Sequence, residues 1–171
     1  MLQLWGFKII KNLMLDIKLK GMIIREARID DIDQYMLVRM AVKENILSNP
    51  TLVTRKDNED YLTQFGKGWV CEIDQRIVGF AIVGLKQHNI WALFVHPDFE
   101  GKGIGRKAME FIEQKSREAG VKRVELGCFE MNERAFELYK KIGFVEIGRI
   151  DNMTDYNGKW WQDIRMEKDF E

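Results

Sequence analysis

The feature that most constrains the fold is a run of alternate glycines, Gly101, Gly103 and Gly105, between an apolar segment and an amphipathic one. Residues 90–95 are apolar without a break, which predicts a strand buried on both faces at the centre of a sheet. Residues 104–119 repeat their apolar side chains at helical spacing, so a helix begins inside the run. The chain therefore passes from a central strand through a glycine-rich loop into a helix.

The N-terminus of a helix, here called the helix mouth, is suited to binding phosphate when glycines precede it. The first N–H groups of a helix have no partner within it, and the helix dipole favours negative charge there. Glycine lets a ligand approach the backbone and adopts positive φ at little cost. Lys102, Arg106 and Lys107 add positive charge to the same turn. The loop therefore predicts a phosphate site, and its length favours a diphosphate over a plain connecting turn.

Two common phosphate-binding motifs also contain closely spaced glycines. A Walker A loop places Lys-Ser or Lys-Thr after its last glycine, where this chain has Arg106, so that motif is excluded. A dinucleotide-binding loop needs G-x-G-x-x-G/A, which Gly103, Gly105 and Ala108 satisfy, and an acidic residue about twenty positions further on, which Glu125 supplies. Such a loop directly follows its strand, whereas here several residues intervene. A dinucleotide-binding protein therefore stays open as the less favoured alternative.

The rest of the chain alternates strand and helix patterns. Strands are predicted at residues 23–28, 69–73, 77–83, 90–95 and 121–128, with a final pair around Asn157-Gly158. Helices are predicted after Asp30 and Asp31, at 59–65, at 104–119, and from Asn132 to Gly143. The helix between strands 90–95 and 121–128 makes a βαβ unit with parallel strands. We therefore predict one α/β domain on a mixed sheet.

The amino-acid composition argues against several classes of binding partner. The chain has 27 basic and 27 acidic residues, so no overall field attracts nucleic acid or an anionic membrane, and neither is expected as a partner. Two cysteines, Cys71 and Cys128, favour a reduced, cytoplasmic protein over a disulfide scaffold. There is no CxxC motif and no histidine cluster, since the two histidines, His88 and His96, are eight residues apart, so we expect no metal site.

Residues 1–21 are expected to be an extension of a domain that comprises residues 22–171. They are apolar but interrupted by charges at positions 8, 11, 16, 18 and 20, which argues against a spanning helix. They also lack the basic start and small-residue end of a secretory signal. The extension could be native or could reflect a misjudged start codon. We expect it to pack on the outside of the domain or across the subunit boundary of a homodimer.

Two blocks of sequence resemble the GNAT superfamily of acyl-CoA-dependent N-acyltransferases. LFVHPDFEGKGIG (93–105) is similar to the family's strand ending in V-x-P, then Q/R-x-x-G-x-G/A and a helix, with Glu100 where the family has Gln or Arg. NERAFELYKKIGF (132–144) is similar to the family's Asn at a helix start, followed by a Tyr and "GF". The resemblance implies one domain with a mixed, mostly antiparallel central sheet, one parallel pair that splays apart, and helices on both faces.

The resemblance further implies that acetyl-CoA is bound, with its pyrophosphate on the glycine loop and its pantetheine arm along the splayed strand. The implied cofactor-binding residues are Leu93, Phe94, Val95, Glu100, Gly101, Lys102, Gly103, Ile104, Gly105, Arg106, Asn132 and Tyr139. We expect Glu100 to turn outward, because its carboxylate would otherwise repel phosphate. Asn132 is expected both to cap its helix and to lie near a pantetheine amide.

The implied reaction is transfer of an acetyl group from acetyl-CoA to a primary amine by direct attack in a ternary complex. Tyr139 lies in the apolar stripe of its helix, which alone would indicate a core residue; the resemblance makes it the catalytic acid that protonates the departing thiolate. A free N–H near Leu93 to Val95 would bind the oxyanion. A non-catalytic CoA-binding module, in which Tyr139 is only core, remains the alternative.

The general base and the acceptor are left open by the sequence. Glu44, His88, Glu125 and Glu130 are candidate bases, and a chain of water molecules is another. Cys128 has no paired histidine in the sequence pattern, so we expect a buried core thiol and not a covalent nucleophile. The amine acceptor, a small molecule or a peptide, is expected near residues 42–53, Trp69, Trp91 and residues 151–161.

Overall fold

The computed structural model describes residues 21–43, 52–154 and 158–170. Residues 1–20 of the predicted N-terminal extension lie outside the described residues, and so does Glu44. The same holds for most of the acceptor stretch at 42–53 and for the first residue of the Asn157-Gly158 turn. Among the described residues, no helix is both long and apolar enough to cross a membrane.

The described chain forms seven strands and four α-helices. The strands are β1 (Ile23–Glu26), β2 (Gly66–Ile73), β3 (Arg76–Gly84), β4 (Asn89–Val95), β5 (Arg123–Phe129), β6 (Val145–Thr154) and β7 (Trp160–Asp169). The helices are α1 (Ile32–Ala41), α2 (Arg55–Asp60), α3 (Ile104–Glu118) and α4 (Glu133–Lys141). Short helical turns at Ile29–Asp31, Tyr61–Phe65 and Pro97–Phe99 connect them.

All strands belong to one sheet with the order β1-β2-β3-β4-β5-β7-β6. Every neighbouring pair is antiparallel except β4 and β5, which are parallel and joined through α3. The structure confirms the predicted fold class and the parallel βαβ unit. The last hairpin does not extend the sheet in chain order, because β7 inserts between β5 and β6.

Helices cover both faces of the sheet, as predicted. On one face, Met109 and Ile112 of α3 and Tyr139 of α4 pack in a core cluster with apolar side chains of β5 and β7. On the other face, Tyr35 and Val38 of α1 pack against the central strands. Each of these five side chains is at most 7% exposed, so both layers are anchored by fully buried groups.

The β4 strand is central, but one of its faces is more open than predicted. Ile90, Ala92 and Phe94 are buried, whereas the alternate residues Leu93 and Val95 are only half buried. The prediction of burial on both faces was therefore wrong for this strand. The physical reason is that Leu93 and Val95 line a cavity, so apolar side chains there do not require a packed neighbour.

Helix α2 begins earlier than the predicted start at residue 59. The side chain of Thr54 accepts a hydrogen bond from the N–H of Asp57 at 3.2 Å, and the Asp57 carboxylate accepts one from the N–H of Thr54 at 2.7 Å. This reciprocal cap satisfies two donors at the helix start and fixes it at Arg55. Helix α2 also contributes to the core, because Asn58 is buried and accepts a hydrogen bond from the Tyr35 hydroxyl at 2.9 Å.

Candidate active site

The parallel strands β4 and β5 separate soon after they meet. Their register has a single pair, Asn89 opposite Glu125, and the N–H of Glu125 donates to the carbonyl of His88 at 2.9 Å. Beyond Asn89, the edge of β4 that faces β5 has no partner strand in the described part of the chain. Backbone groups of β4 are therefore available to a ligand that enters the gap.

The glycine loop leads into α3 in a conformation that depends on glycine. Gly101 and Gly103 have φ of 69° and 81°, in the left-handed region that other residues rarely adopt. Gly103 directly precedes the helix, and no described side chain caps it. The first N–H groups of α3 are therefore without a helical partner at a helix mouth.

A cavity of about 540 Å³ joins the helix mouth to the gap between β4 and β5. Every predicted cofactor-binding residue lines it except Lys102. The Lys102 ammonium instead donates to the carbonyl of Asp98 and lies 4.5 Å from the centre of the Phe99 ring. The positive charge of Lys102 therefore interacts with groups of the loop itself. The sequence pattern did not indicate these contacts.

The carboxylate of Glu100 is bound by Arg134, in the first turn of α4. Both residues line the cavity, and only 25% of the Glu100 side chain is exposed, so it does not simply turn outward as expected. Arg134 is 65% exposed, and such a pair adds at most about 1 kcal/mol to stability. Its effect is local, because it neutralises the single acidic side chain of the loop 100–106.

Asn132 and Tyr139 take the positions expected on α4. Asn132 Oδ1 accepts a hydrogen bond from the N–H of Ala135 at 3.0 Å and so caps the helix. Tyr139 is 7% exposed, and its ring centre lies 5.9 Å from that of Phe144. Burial raises the pKa of Tyr139, which keeps its hydroxyl protonated at neutral pH. Tyr139 is therefore a core residue that also faces the cavity.

Cys128 also lines the cavity, but it is not an activated thiol. It is buried, and burial together with the charge of Asp163 raises the pKa of Cys128 to about 11. The thiol is therefore protonated at neutral pH, and the thiolate is the form that a nucleophile needs. The geometry agrees with a core role for this residue.

Three candidate bases chosen from the sequence, His88, Glu125 and Glu130, do not line the cavity, and Glu44 lies outside the described residues. His88 is exposed in the turn before β4, with φ of 53°. Glu125 lies 3.7 Å from Arg165 with 47% of its side chain exposed. Glu130 accepts a hydrogen bond from the N–H of Gln162 at 3.4 Å.

Among the described residues, three carboxylates line the cavity: Glu100, Glu137 and Asp163. Asp163 was not among the site residues predicted from the sequence. One signal for it was present in the sequence: Gly127 stands inside a strand pattern, where a missing side chain often marks the close approach of another group.

The described residues thus form a mixed α/β domain whose ligand cavity runs from an uncapped helix mouth to the splay between two parallel strands. Residues 35–144 match the acetyltransferase (GNAT) family. That match covers more than half of the chain. The protein belongs to the GNAT family.

Individual relatives are similar over shorter stretches. The L-amino acid N-acyltransferase MnaT of Escherichia coli K12 is 29% identical over 69 residues, which cover 40% of this chain and 40% of the relative. The spermine/spermidine N(1)-acetyltransferase of Bacillus subtilis 168 is 33% identical over 94 residues, which cover 48% of this chain and 59% of the relative. The chain thus spans about half the length of these curated relatives.

A solved structure supports the fold over nearly the whole chain. The structure of yncA from Salmonella typhimurium, which contains its cofactor acetyl-CoA, superposes with a TM-score of 0.74 at 19% identity. The superposition covers 88% of this chain and 95% of the other. At this identity the likeness concerns the fold.

Proposed function

We propose that the protein is an N-acetyltransferase that transfers an acetyl group from acetyl-CoA to a primary amine. The observation that carries this proposal is the cavity, which connects an uncapped helix mouth to a buried tyrosine along the unpaired edge of β4. A phosphorylated and extended thioester fits such a path, because its phosphates need N–H donors and its amide-containing arm needs a strand edge.

The phosphate end of the site is built mainly from backbone. The N–H groups of Gly103 to Arg106 surround the mouth of α3, where the helix dipole favours a diphosphate. The side chain of Arg106 is 59% exposed and within reach of the same opening. Glu100 does not oppose anion binding there, because Arg134 neutralises it.

The chemical steps use the other end of the cavity. The amine attacks the thioester carbonyl, and a backbone N–H on the free edge of β4 near Leu93 to Val95 stabilises the oxyanion. Tyr139 donates its proton to the departing thiolate, since the residue lines the cavity and burial keeps its hydroxyl protonated. Both groups are held rigidly, one by the sheet and the other by the core cluster around α4.

The names of the two relatives suggest the class of acceptor. One is called an L-amino acid N-acyltransferase and the other a spermine/spermidine acetyltransferase, and both names specify an amine. We propose a small-molecule or peptide amine for this protein. The alternative of a dinucleotide-binding protein is disfavoured, because Glu125 pairs with Arg165 and does not line the cavity.

Release of CoA thiol tests the proposal. The protein is incubated with acetyl-CoA and, separately, with spermine, each L-amino acid and a short peptide with a free N-terminus. We expect amine-dependent thiol release with at least one of these acceptors and the matching mass increase of the acceptor. Binding of acetyl-CoA without thiol release from any amine would instead indicate a non-catalytic CoA-binding module.

The pair of Glu100 and Arg134 gives a second prediction. Arg134→Ala should weaken acetyl-CoA binding about tenfold, because a cation is lost and the Glu100 carboxylate is left unpaired beside the phosphates. Glu100→Gln should bind acetyl-CoA as tightly as the wild type or more tightly. Calorimetry measures both affinities.

A double variant serves as the control. In Glu100→Gln/Arg134→Ala no unpaired carboxylate remains, so part of the lost affinity should return. If Arg134→Ala binds acetyl-CoA like the wild type, the pair lies outside the phosphate site.

A further inference from the structure

Asp163 is a carboxylate in an unusual position within the cavity. It lies near the start of β7, and 13% of its side chain is exposed. The register places it opposite Phe129, the last residue of β5, and it lines the cavity together with Phe129 and Cys128. A largely buried acid therefore faces the gap beside the free edge of β4.

The absence of a side chain at Gly127 is what leaves room for Asp163. A Cβ built at Gly127 would lie 2.7 Å from both carboxylate oxygens of Asp163 and 2.7 Å from Nη1 of Arg165. Any other residue at this position would push one of these groups away. The gap in β5 is therefore filled by side chains from the neighbouring strand β7, and Gly127 itself lines the cavity.

Arg165 holds Asp163 in place and links it to a second acid. Nη1 of Arg165 lies 3.2 Å from Oδ2 of Asp163, and Nη2 lies 3.7 Å from Oε2 of Glu125. Arg165 contacts both carboxylates, and Arg123 also interacts with Glu125. Glu125 is 47% exposed and well screened by water, whereas Asp163 is covered, so the charge of Asp163 acts mainly on the cavity.

The other carboxylates of the cavity are less suited to meet a cation. Glu100 is neutralised by Arg134 beside the glycine loop, at the phosphate end. Glu137 is 53% exposed and lies 3.3 Å from Lys140 on the surface of α4. Asp163 is the carboxylate, among the described residues, that is both covered and next to the strand edge where the thioester is proposed to bind.

We propose that Asp163 is the catalytic residue that binds the ammonium group of the acceptor and takes a proton from it, with Arg165 as its positioning residue. This inference rests on the proposed N-acetyltransferase function. An amine is a cation in neutral water, and its lone pair can attack only after a proton has left.

The ammonium group passes one proton to Asp163, and the free amine forms a C–N bond with the carbonyl carbon of the thioester. The C–S bond then breaks, and the thiolate takes a proton from the hydroxyl of Tyr139. The second amine proton returns to the Tyr139 phenolate. Asp163 releases its proton to water, so the products are the amide, the CoA thiol and one proton.

The Asp163→Asn variant tests the proposal, with Asp169→Asn as the matched control. Asp169 lies on the same strand, is 58% exposed and pairs with Arg123 outside the cavity. Asp163→Asn should lower kcat/KM for the amine by about 10²–10⁴-fold and raise its KM, while the Kd for acetyl-CoA stays near that of the wild type. Asp169→Asn should keep wild-type values. The amines are spermine, the L-amino acids and a short peptide with a free N-terminus.

Gly127→Ala is a second variant that leaves every charge in place. The added methyl group must displace the carboxylate of Asp163 or the end of Arg165, so turnover should fall while acetyl-CoA affinity persists. The double variant Gly127→Ala/Asp163→Asn should be no slower than Asp163→Asn alone, because both changes remove the same group from its place.

Different results would overturn the role of Asp163 and the proposed acetyltransferase function. If Asp163→Asn turns over the amine at the wild-type rate, the role of Asp163 is overturned and the acetyltransferase function stands. If the wild-type protein acetylates none of the amines, the proposed function is overturned, and the role of Asp163 with it.

Discussion

Replacing Gly103 by aspartate is expected to abolish measurable acetyl-CoA binding while the domain remains folded. The new carboxylate would stand at the mouth of α3, where it competes for the N–H groups and repels the phosphates. Two like charges about 4 Å apart near a protein surface repel by about 4 kcal/mol, which corresponds to about a thousandfold in Kd. Calorimetry with acetyl-CoA measures the loss, and a thermal melt checks the fold.

The fold should survive the change because the position is open. A Cβ at Gly103 would meet no heavy atom within 4 Å, so the cost is limited to the left-handed backbone at φ 81°, about 1–2 kcal/mol. Gly105 is less suited to this test, because its added Cβ would already contact Leu138 at 3.4 Å. A loss of acetyl-CoA affinity in a Gly105 variant would not distinguish disturbed helix packing from phosphate repulsion.

Gly120 provides a matched control at the opposite end of the same helix. It has φ of 79°, and a Cβ there also meets nothing within 4 Å. Gly120→Asp therefore carries the same strain and the same charge, but far from any site for phosphate, and it should bind acetyl-CoA normally. Gly103→Asn adds the bulk without the charge and should lose less affinity than Gly103→Asp. Equal binding by folded Gly103→Asp and wild type would refute the phosphate site.

Features that depend on local backbone chemistry were predictable from the sequence. The glycines at 101 and 103 adopt positive φ and open α3, and Asn132 caps α4 through its side chain, both as the pattern indicates. The parallel pair β4 and β5 follows from a strand-helix-strand order alone. The first two features depend on residues that are close in the chain, and the third depends on the helix α3 that connects the two strands.

Features that depend on pairing between distant segments were not predictable in this way. Asp163 reaches the cavity because β7 inserts beside β5 and because Gly127 has no side chain to exclude it. Gly127 signals only that some group approaches β5 closely, and it does not identify that group. Asp163 itself lies in a strand of alternating polar and apolar residues that suits any half-exposed sheet. The pairing of Glu100 with Arg134 is of the same kind, because it joins the loop to a different helix.

Tyr139→Phe is expected to lower kcat by about 10²–10⁴-fold, the usual value of a general acid, while the Kd for acetyl-CoA changes little. The phenyl ring retains the packing of Tyr139 in the core cluster, so stability should hardly change. The wild-type hydroxyl acts in its protonated form, and burial raises the pKa of Tyr139 above that of an ordinary tyrosine. Any loss of rate through ionisation of Tyr139 should therefore appear only above the pH at which an exposed tyrosine titrates.

Tyr35→Phe is the matched control for that variant, because it removes a hydroxyl from the other face of the sheet. The Tyr35 hydroxyl donates to buried Asn58 at 2.9 Å, so its loss should cost about 1–3 kcal/mol of unfolding free energy and leave turnover intact. The two variants should thus show opposite profiles: Tyr139→Phe is stable but slow, and Tyr35→Phe is less stable but active. If Tyr139→Phe acetylates its amine at the wild-type rate, Tyr139 is a core residue only, and the thiolate takes its proton from another donor.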